Sequence, residues 1–525
     1  MKRIFAILTS CLTLLACRQN PAENDSEPLA PADSVVEKLV LHLPDTCYES
    51  ALQIDYEISY ADSADYPVEF DDSLYNGKKG VLTFRGTPFR DNPGTGCINS
   101  TPKAFEIVWE FITDTDYTNT VVGSWGGGSG WTGQPLLVHW PDSLVERFRS
   151  ESTALTEDFA KDEIIAGSLA GRIYFINPES GKSSRKSIDV GNPLKGTISL
   201  DPGMNGNLYY GHGVPAHGEM GAGVIDLFKH QTSHFFPVDK TAWRNWGAYD
   251  SSPVVVGDYL FRPAENGKLY KYERQPGGLR ELASIRYKVG GAAPGIESSM
   301  AVYSNYGYIG DNRGNIICLN LDNLKPVWRY FNQDDTDATI VLAEEDGVPY
   351  LYTGCEIDKQ GDSGFCYFTK INGIDGTPQW TLKYAGRKAR LSSEKTEEGG
   401  MYSTPLFGIG DCEDMIFTCF VTNEPALNGN FVAIDRKSGN VVYEIKLDRY
   451  AWSSPVAMLS KDGKMYIVQG DCGGKLYMID AKAGTVLFKE KVGNNFESSP
   501  VVFSDSFVIG TRGNKFFKVK VVCEN

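Results

Sequence analysis

Ser453-Ser454-Pro455-Val456 opens the stretch whose reading decides the fold. An Asp-Gly turn follows at Asp462-Gly463, then an apolar strand from Lys464 to Gln469 and a Gly-rich turn, Asp471-Cys472-Gly473-Gly474. A second strand runs from Lys475 to Ile479, and Asp480 and the turn Lys482-Ala483-Gly484 lead into a third, Thr485 to Lys491. With the opening strand these short β-branched and aromatic runs, divided by Gly/Asp turns, spell a four-stranded antiparallel meander.

The opening recurs. It reads Ser251-Ser252-Pro253-Val254, Ser298-Ser299-Met300-Ala301, Ser403-Thr404-Pro405-Leu406 and Ser498-Ser499-Pro500-Val501, with looser copies at Thr132-Gly133-Gln134-Pro135-Leu136, Thr197-Ile198-Ser199-Leu200 and Ala338-Thr339-Ile340-Val341. A single meander cannot bury both its faces, but a radial stack can, so eight openings predict an all-β, eight-bladed β-propeller of four-stranded antiparallel blades. The last opening is followed by only two further strands, Phe507 to Thr511 and Lys515 to Val522. Phe105 to Ile112 reads as the missing outer strand, so the N-terminal strand is expected to pair with the C-terminal blade and close the ring without exposed edges. The paired serines are placed to bond their neighbours around the ring.

The clearest blades, Phe431-Val432-Ala433-Ile434-Asp435-Arg436-Lys437-Ser438-Gly439 and Leu476-Tyr477-Met478-Ile479-Asp480-Ala481-Lys482-Ala483-Gly484, run an aliphatic strand into Asp and then Lys-x-Gly. This pattern resembles the quinoprotein-type repeat over roughly Phe105 to Val522. Gly80 to Gly86 and Trp125 to Leu137 look like a subfamily of bacterial propellers known only by that repeat. Quinoprotein-type propellers include alcohol and sugar dehydrogenases and a non-enzymatic lipoprotein of outer-membrane protein assembly, so the resemblance transfers fold more readily than function. In the alcohol-dehydrogenase branch it implies pyrroloquinoline quinone, a vicinal Cys-Cys disulfide, a Trp floor and Glu/Asn/Asp ligands for calcium. No two cysteines here are adjacent. No cofactor is therefore expected, with the quinone plus calcium as the alternative.

The chain starts with Lys2 and Arg3, an apolar run from Ile4 to Leu15, and Leu14-Leu15-Ala16-Cys17. The ending resembles a bacterial lipobox, which implies cleavage before Cys17 and lipid on its sulfur. Residues 1–16 are thus read as a leader and 17–33, Pro-rich and acidic, as a tether. Residues 34–104 form a strand-rich or strap-like extension, and 105–525 the propeller. Arg18 after the cysteine points to the outer membrane, on its periplasmic face or at the cell surface, with lipid as the only membrane contact. The formal charge of −16 repels phosphate backbones and argues against nucleic acid as a partner. Of 11 cysteines, Cys11 and Cys17 belong to the leader and anchor. Among the rest, Cys355/Cys366 and Cys412/Cys419 are spaced to pair across hairpins or to lie buried and reduced.

Loops entering the inner strands and turns between second and third strands share one propeller face. That places Trp246, Tyr249, Asp250, Glu297, Tyr402, Trp452 and Glu497 at the mouth from the lead-ins. Glu265, Asp311, Arg313, Asp471 and Arg512 join them from the turns, and Trp125 and Trp131 from the Gly-rich lead-in to the first blade. Aromatic anchors among convergent polar groups suit ligand capture. His212, His217 and Glu219, in a Gly/Pro-rich loop, are a second candidate, for a metal ion. No P-loop follows Gly126-Gly127-Gly128-Ser129-Gly130 and no nucleophile elbow occurs. The expected function is that of a non-catalytic envelope lipoprotein binding a protein or envelope polymer. The alternatives are an oxidoreductase dependent on pyrroloquinoline quinone or calcium, and a carbohydrate-active enzyme.

Overall fold

The computed structural model describes residues 42–75, 80–131, 133–391 and 396–524. The leader, Cys17 and the tether lie outside them. Eight antiparallel sheets follow one another along the chain as the blades of a propeller, which we number 1 to 8. Their innermost strands are Leu136–His139, Ser199–Leu200, Val254–Val256, Ala301–Tyr303, Val341–Glu345, Leu406–Phe407, Val456–Ser460 and Val501–Phe503. Each of the eight expected openings leads into one of them. Blade 8 is completed as anticipated: Pro102–Ile112 lies antiparallel to Lys515–Cys523, with Phe105 opposite Val521 and Ile112 opposite Lys515. Among the described residues no helix is long and apolar enough to cross a membrane.

The glycine that closes the turn before a blade's outer strand is set by the neighbouring blade. Trp109 of blade 8, Trp328 of blade 4, Trp380 of blade 5 and Tyr443 of blade 6 each lie against the turn glycine of the next blade: Gly181, Gly376, Gly439 and Gly484. A Cβ on any of these would come within 2.5 to 2.7 Å of the ring, and each has a φ between 66° and 76°, where glycine alone is unstrained. The polar tip of each aromatic bonds the same turn. Trp109 Nε1 donates to Pro178 O at 2.9 Å, Trp328 Nε1 to Gly373 O at 2.9 Å, Trp380 Nε1 to Arg436 O at 3.2 Å and Tyr443 OH to Ala481 O at 2.7 Å.

Nearer the axis, the serine pairs bond blade to blade. Ser252 N donates to Ser299 Oγ, Ser299 N to Thr339 Oγ1, Thr404 N to Ser454 Oγ and Ser454 N to Ser499 Oγ, at 2.9 to 3.1 Å. Gln134 N donates to Thr197 Oγ1 in the same way at 2.8 Å. That bond moves the register of blade 2 by one residue from the expected one: Thr197 takes the place of the second serine, and Lys195 precedes the pair.

The extension before the propeller contributes at two levels. Ile54–Tyr60 adds a fifth, outermost strand to blade 3 by pairing with Gly278–Val289. Further along, the chain crosses the inner strands themselves. Gly80–Val81 pairs with Val138 and Leu137 of blade 1, and Thr95–Ile98 runs parallel to Ala457–Ser460 of blade 7. Between them, Leu82 O, Pro88 O and Phe89 O accept the amides of Leu200, Val302 and Leu342 from blades 2, 4 and 5. Residues 80–98 therefore plug the axis.

Two fully buried arginines tie this plug to the openings. Arg85 donates to Pro455 O at 2.9 Å and Pro405 O at 3.0 Å. Arg90 donates to Met300 O at 2.8 Å, Ser252 O at 3.0 Å and Phe84 O at 2.9 Å. Carbonyl dipoles replace the hydration both cations lose. Burial lowers Arg85 to about 9 and Arg90 to about 10, so both stay charged at neutral pH.

Candidate functional site

The residue just before each serine pair points to the mouth. Following the hydrogen-bonded register, the series is Lys195, Asp250, Glu297, Asp337, Tyr402, Trp452 and Glu497 for blades 2 to 8. In blade 1 that position is Thr132, outside the described residues, and Trp131 stands beside it. Of the seven, all but Asp250 line a funnel of about 1450 Å³, together with Trp125, Trp131, Glu356, Glu397, Tyr450, Arg512 and the rim residues Tyr117, Val121 and Val122.

The funnel wall has an aromatic arc from blades 6 to 8 and 1. Tyr402 and Trp452 stack with centroids 4.8 Å apart, and Trp131 meets both edge-on at 6.1 and 6.3 Å. Glu497 is paired with Arg512 at 3.0 Å, and the guanidinium lies over Trp125, 4.9 Å from its centroid. The Nε1 atoms of Trp125 and Trp452 are buried without a partner.

Blades 2 to 5 supply a charged arc. Lys195 Nζ bonds Asp250 Oδ2 and lies 5.7 and 5.8 Å from the Trp125 and Trp131 rings. Burial opposes its charge, but Asp250, Glu265 and Glu297 outweigh burial and raise the ammonium above its usual range. Oxygens of Asp250, Glu265 and Glu297 lie within 4.8 Å of one another, and so do those of Asp335, Asp337 and Glu356. Burial, reinforced by the neighbouring carboxylates, holds Glu265, Asp337 and Glu356 well above the ordinary carboxylate range. Burial also pushes Glu297 up to about 7 and Asp335 to about 6. Tyr402 OH donates to Glu356 Oε2 at 2.8 Å, joining the two arcs.

Several expected mouth residues have other work. Asp311 accepts from the Arg313 and Asn315 amides at 2.9 Å and from Tyr287 OH at 3.0 Å. Asp471 likewise holds the Gly473 and Lys475 amides and Tyr477 OH, each at 2.9 Å. Both carboxylates shape turns. Arg313 reaches back to Ala293 O at 3.4 Å. Tyr249 is buried in the core, Arg262 5.7 Å from its ring. Trp246 donates to Glu265 Oε2 at 2.8 Å and braces the arc from behind.

The histidine loop does not converge on an ion. Both ring nitrogens of the buried His212 are engaged, Nε2 with Val190 O at 2.9 Å and Nδ1 with Asn192 Nδ2 at 3.4 Å. Burial lowers its pKa to about 4. His217 pairs with Asp116 at 2.7 Å, and Glu219 is exposed. Cys355 and Cys366, and Cys412 and Cys419, form no disulfide. Cys412 sits in the turn Gly410–Cys412 and Cys419 within the strand Met415–Val421. Tyr450, in the lead-in Tyr450-Ala451-Trp452, lines the funnel as the sequence placed it, and Lys195, Asp335, Asp337, Glu356 and Glu397 complete the site without having been singled out from the sequence.

The fold has solved counterparts. A europium-containing methanol dehydrogenase superposes with a TM-score of 0.56 at 12% identity, covering 85% of this chain and 99% of that one. The quinohemoprotein alcohol dehydrogenase ADHIIG from Pseudomonas putida HK5 gives 0.58 at 12%, covering 88% and 84%. BamB from Moraxella catarrhalis gives 0.46 at 13%, covering 70% and 97%. The likeness to the two dehydrogenases is one of architecture. No protein-family model matches the sequence, and no curated protein matches it.

Pyrroloquinoline quinone, implied by the dehydrogenase resemblance, does not fit this funnel. It is a tricarboxylate. The wall presents Glu297, Asp337, Glu356, Glu397, Glu398 and Glu497 against Lys195 and Arg512, and both of those cations are already paired. A hard cation does fit the donor set, since the carboxylate triads supply only oxygen ligands.

Proposed function

We propose that this protein is a non-catalytic binding protein of the cell envelope, exported and held at the outer membrane by lipid on Cys17, whose funnel takes a neutral saccharide chain of an envelope polymer. One observation carries the reading: buried polar atoms of both kinds stand unpartnered around an aromatic wall. Trp125 Nε1, Trp452 Nε1 and Arg512 Nε are donors, whereas Glu356 Oε1, Asp337 Oδ1 and Asn495 Oδ1 are acceptors. Leaving such atoms unmade costs about 1–3 kcal/mol each. Sugar hydroxyls donate and accept at once, and the C–H faces of a pyranose lie well on Trp and Tyr rings. The acidity of both wall and chain disfavours anionic polymers.

Affinity electrophoresis through gels containing neutral polysaccharides tests the proposal. At least one polymer is expected to retard the protein, and Trp452→Ala to restore its mobility without new reducing ends appearing in solution. Retardation by none, or retardation that survives Trp452→Ala, overturns the proposal. Accumulating reducing ends would make the protein an enzyme.

A further inference from the structure

Outside the funnel, the seam between blades 5 and 6 carries charge of the opposite sign. Three clefts of about 670, 460 and 290 Å³ meet there, joined through Ala385, Arg387 and Glu424, and make one groove. One wall is the outermost strand of blade 5, Pro378–Arg387, continued by residues 388–391. The other is the blade 6 turn 422–427 with the outermost strand of that blade, Val441–Lys446. A thin partition divides groove from funnel: Ala389–Arg390 pairs with Thr396–Glu397, and Asn423 Nδ2 donates to Arg387 O at 2.9 Å and Glu397 O at 3.1 Å. Glu397 and Glu398 line the funnel side, whereas Arg387 and Arg390 line the groove. Five cations line the groove against Asp362, Glu424 and Glu444, in a chain whose formal charge is −16. Tyr384 OH already donates to Glu444 at 2.9 Å. Among the described residues only one of the five cations, Lys388, has an ion pair, with Asp358 at 3.1 Å; Lys383, Arg387, Arg390 and Lys446 have none. Exposed Leu391, Pro425 and Ala426 and half-buried Leu427 stand among them.

We propose that this groove docks an acidic peptide segment of a partner protein, one that mixes Asp or Glu with apolar side chains. Carboxylates of the segment meet Arg387 and Arg390, whose planar guanidiniums accept them in a two-pronged pair that lysine cannot match. Its apolar side chains cover Leu391, Pro425 and Leu427. The mixture of charge and apolar surface is what selects a peptide: an anionic polysaccharide would satisfy the cations and leave the apolar wall wet. Complementary charge at an exposed groove also speeds encounter and discriminates against basic partners. Groove and funnel share no lining residue, so the proposal does not depend on the funnel's taking a saccharide.

Fluorescence anisotropy with short labelled peptides tests the groove. The probes are a panel alternating Glu or Asp with Leu or Phe, the same panel with Gln or Asn for the acids, and labelled oligogalacturonate as an anionic glycan. At least one acidic peptide should bind saturably, one per protein, with its amide counterpart far weaker and affinity falling as salt rises. Arg387→Glu together with Arg390→Glu should weaken that binding by about tenfold or more, because like charges then face each other across the contact. Lys437→Glu makes a charge change of the same kind on an exposed turn of blade 6 outside the groove and should leave binding intact. Both arginines are exposed, so the double variant should melt with the parent. Saturable binding by none of the acidic peptides overturns the proposal. Equal loss in Lys437→Glu overturns it in favour of diffuse attraction, and oligogalacturonate binding as tightly as the best peptide overturns it in favour of an anionic glycan.

Discussion

The two arcs of the funnel are built from the same position of the repeat and reach opposite states. On the aromatic arc, Tyr402, Trp452 and Trp131 pack on one another, and Glu497 has its arginine. That arc is largely complete before any ligand arrives. On the charged arc, Lys195 meets Asp250 and Lys359 lies 3.3 Å from Asp335, and the carboxylates crowd one another. A propeller fixes where the lead-in residue stands but leaves its chemistry free. One half of the ring can therefore be a preformed aromatic surface while the other crowds carboxyls that burial pushes toward their neutral form.

The sharpest way to break the comparison is to remove the buried lysine that meets Asp250. Lys195→Met should destabilise the fold by about 3–5 kcal/mol, the cost of leaving one member of a buried pair alone. Urea unfolding at neutral pH measures this. The deficit should shrink in acid as Asp250, which burial already pushes upward, takes a proton.

Outside both arcs, His212 sets the acid limit. Its folded pKa of about 4 lies below the ordinary value, so the folded state resists a proton that the unfolded chain accepts. Its contribution is complete above the unfolded value and is lost as pH falls through about 6.5 towards 4, reaching about 3 kcal/mol. Thermal unfolding across that range should show the loss, and His212→Gln, less stable at neutral pH, should flatten it.

Smaller effects separate the arcs by ligand rather than by stability. Trp452→Ala should cost about 1–2 kcal/mol for a half-buried ring, with a larger relative loss in saccharide retardation. Trp246→Phe, which removes the bond to Glu265 and part of the ring behind the wall, should lower the melting temperature slightly and leave retardation unchanged.

Much of this architecture was legible because the repeat is short-range chemistry. The serine pair, the Asp-x-Lys-x-Gly turn and the missing strand of the last blade each state a local rule, and Phe105 to Ile112 completes the ring as expected. The plug was not legible. Arg85 and Arg90 bind main-chain carbonyls hundreds of residues away, and carbonyls leave no signature in side chains. The mouth was half legible. Asp250, Glu297, Tyr402, Trp452 and Glu497 follow from strong openings. Asp337 precedes the loose copy Ala338-Thr339, Lys195 was hidden by a one-residue register difference, and Glu356 begins a short strand, Glu356–Ile357, where blades 4 and 7 have an Asp-x-x-Gly turn. Asp311 and Asp471 have that form because the turn itself needs them.

Protection of individual tryptophans from N-bromosuccinimide, read by peptide mass spectrometry, tests the funnel as a saccharide site most directly. In the presence of a neutral polysaccharide that retards the protein, Trp125 and Trp452 should be oxidised several-fold more slowly, while Trp243 and Trp246 react as before. Equal oxidation of all four with and without the polymer would contradict the account, because the ligand would then lie elsewhere on the molecule.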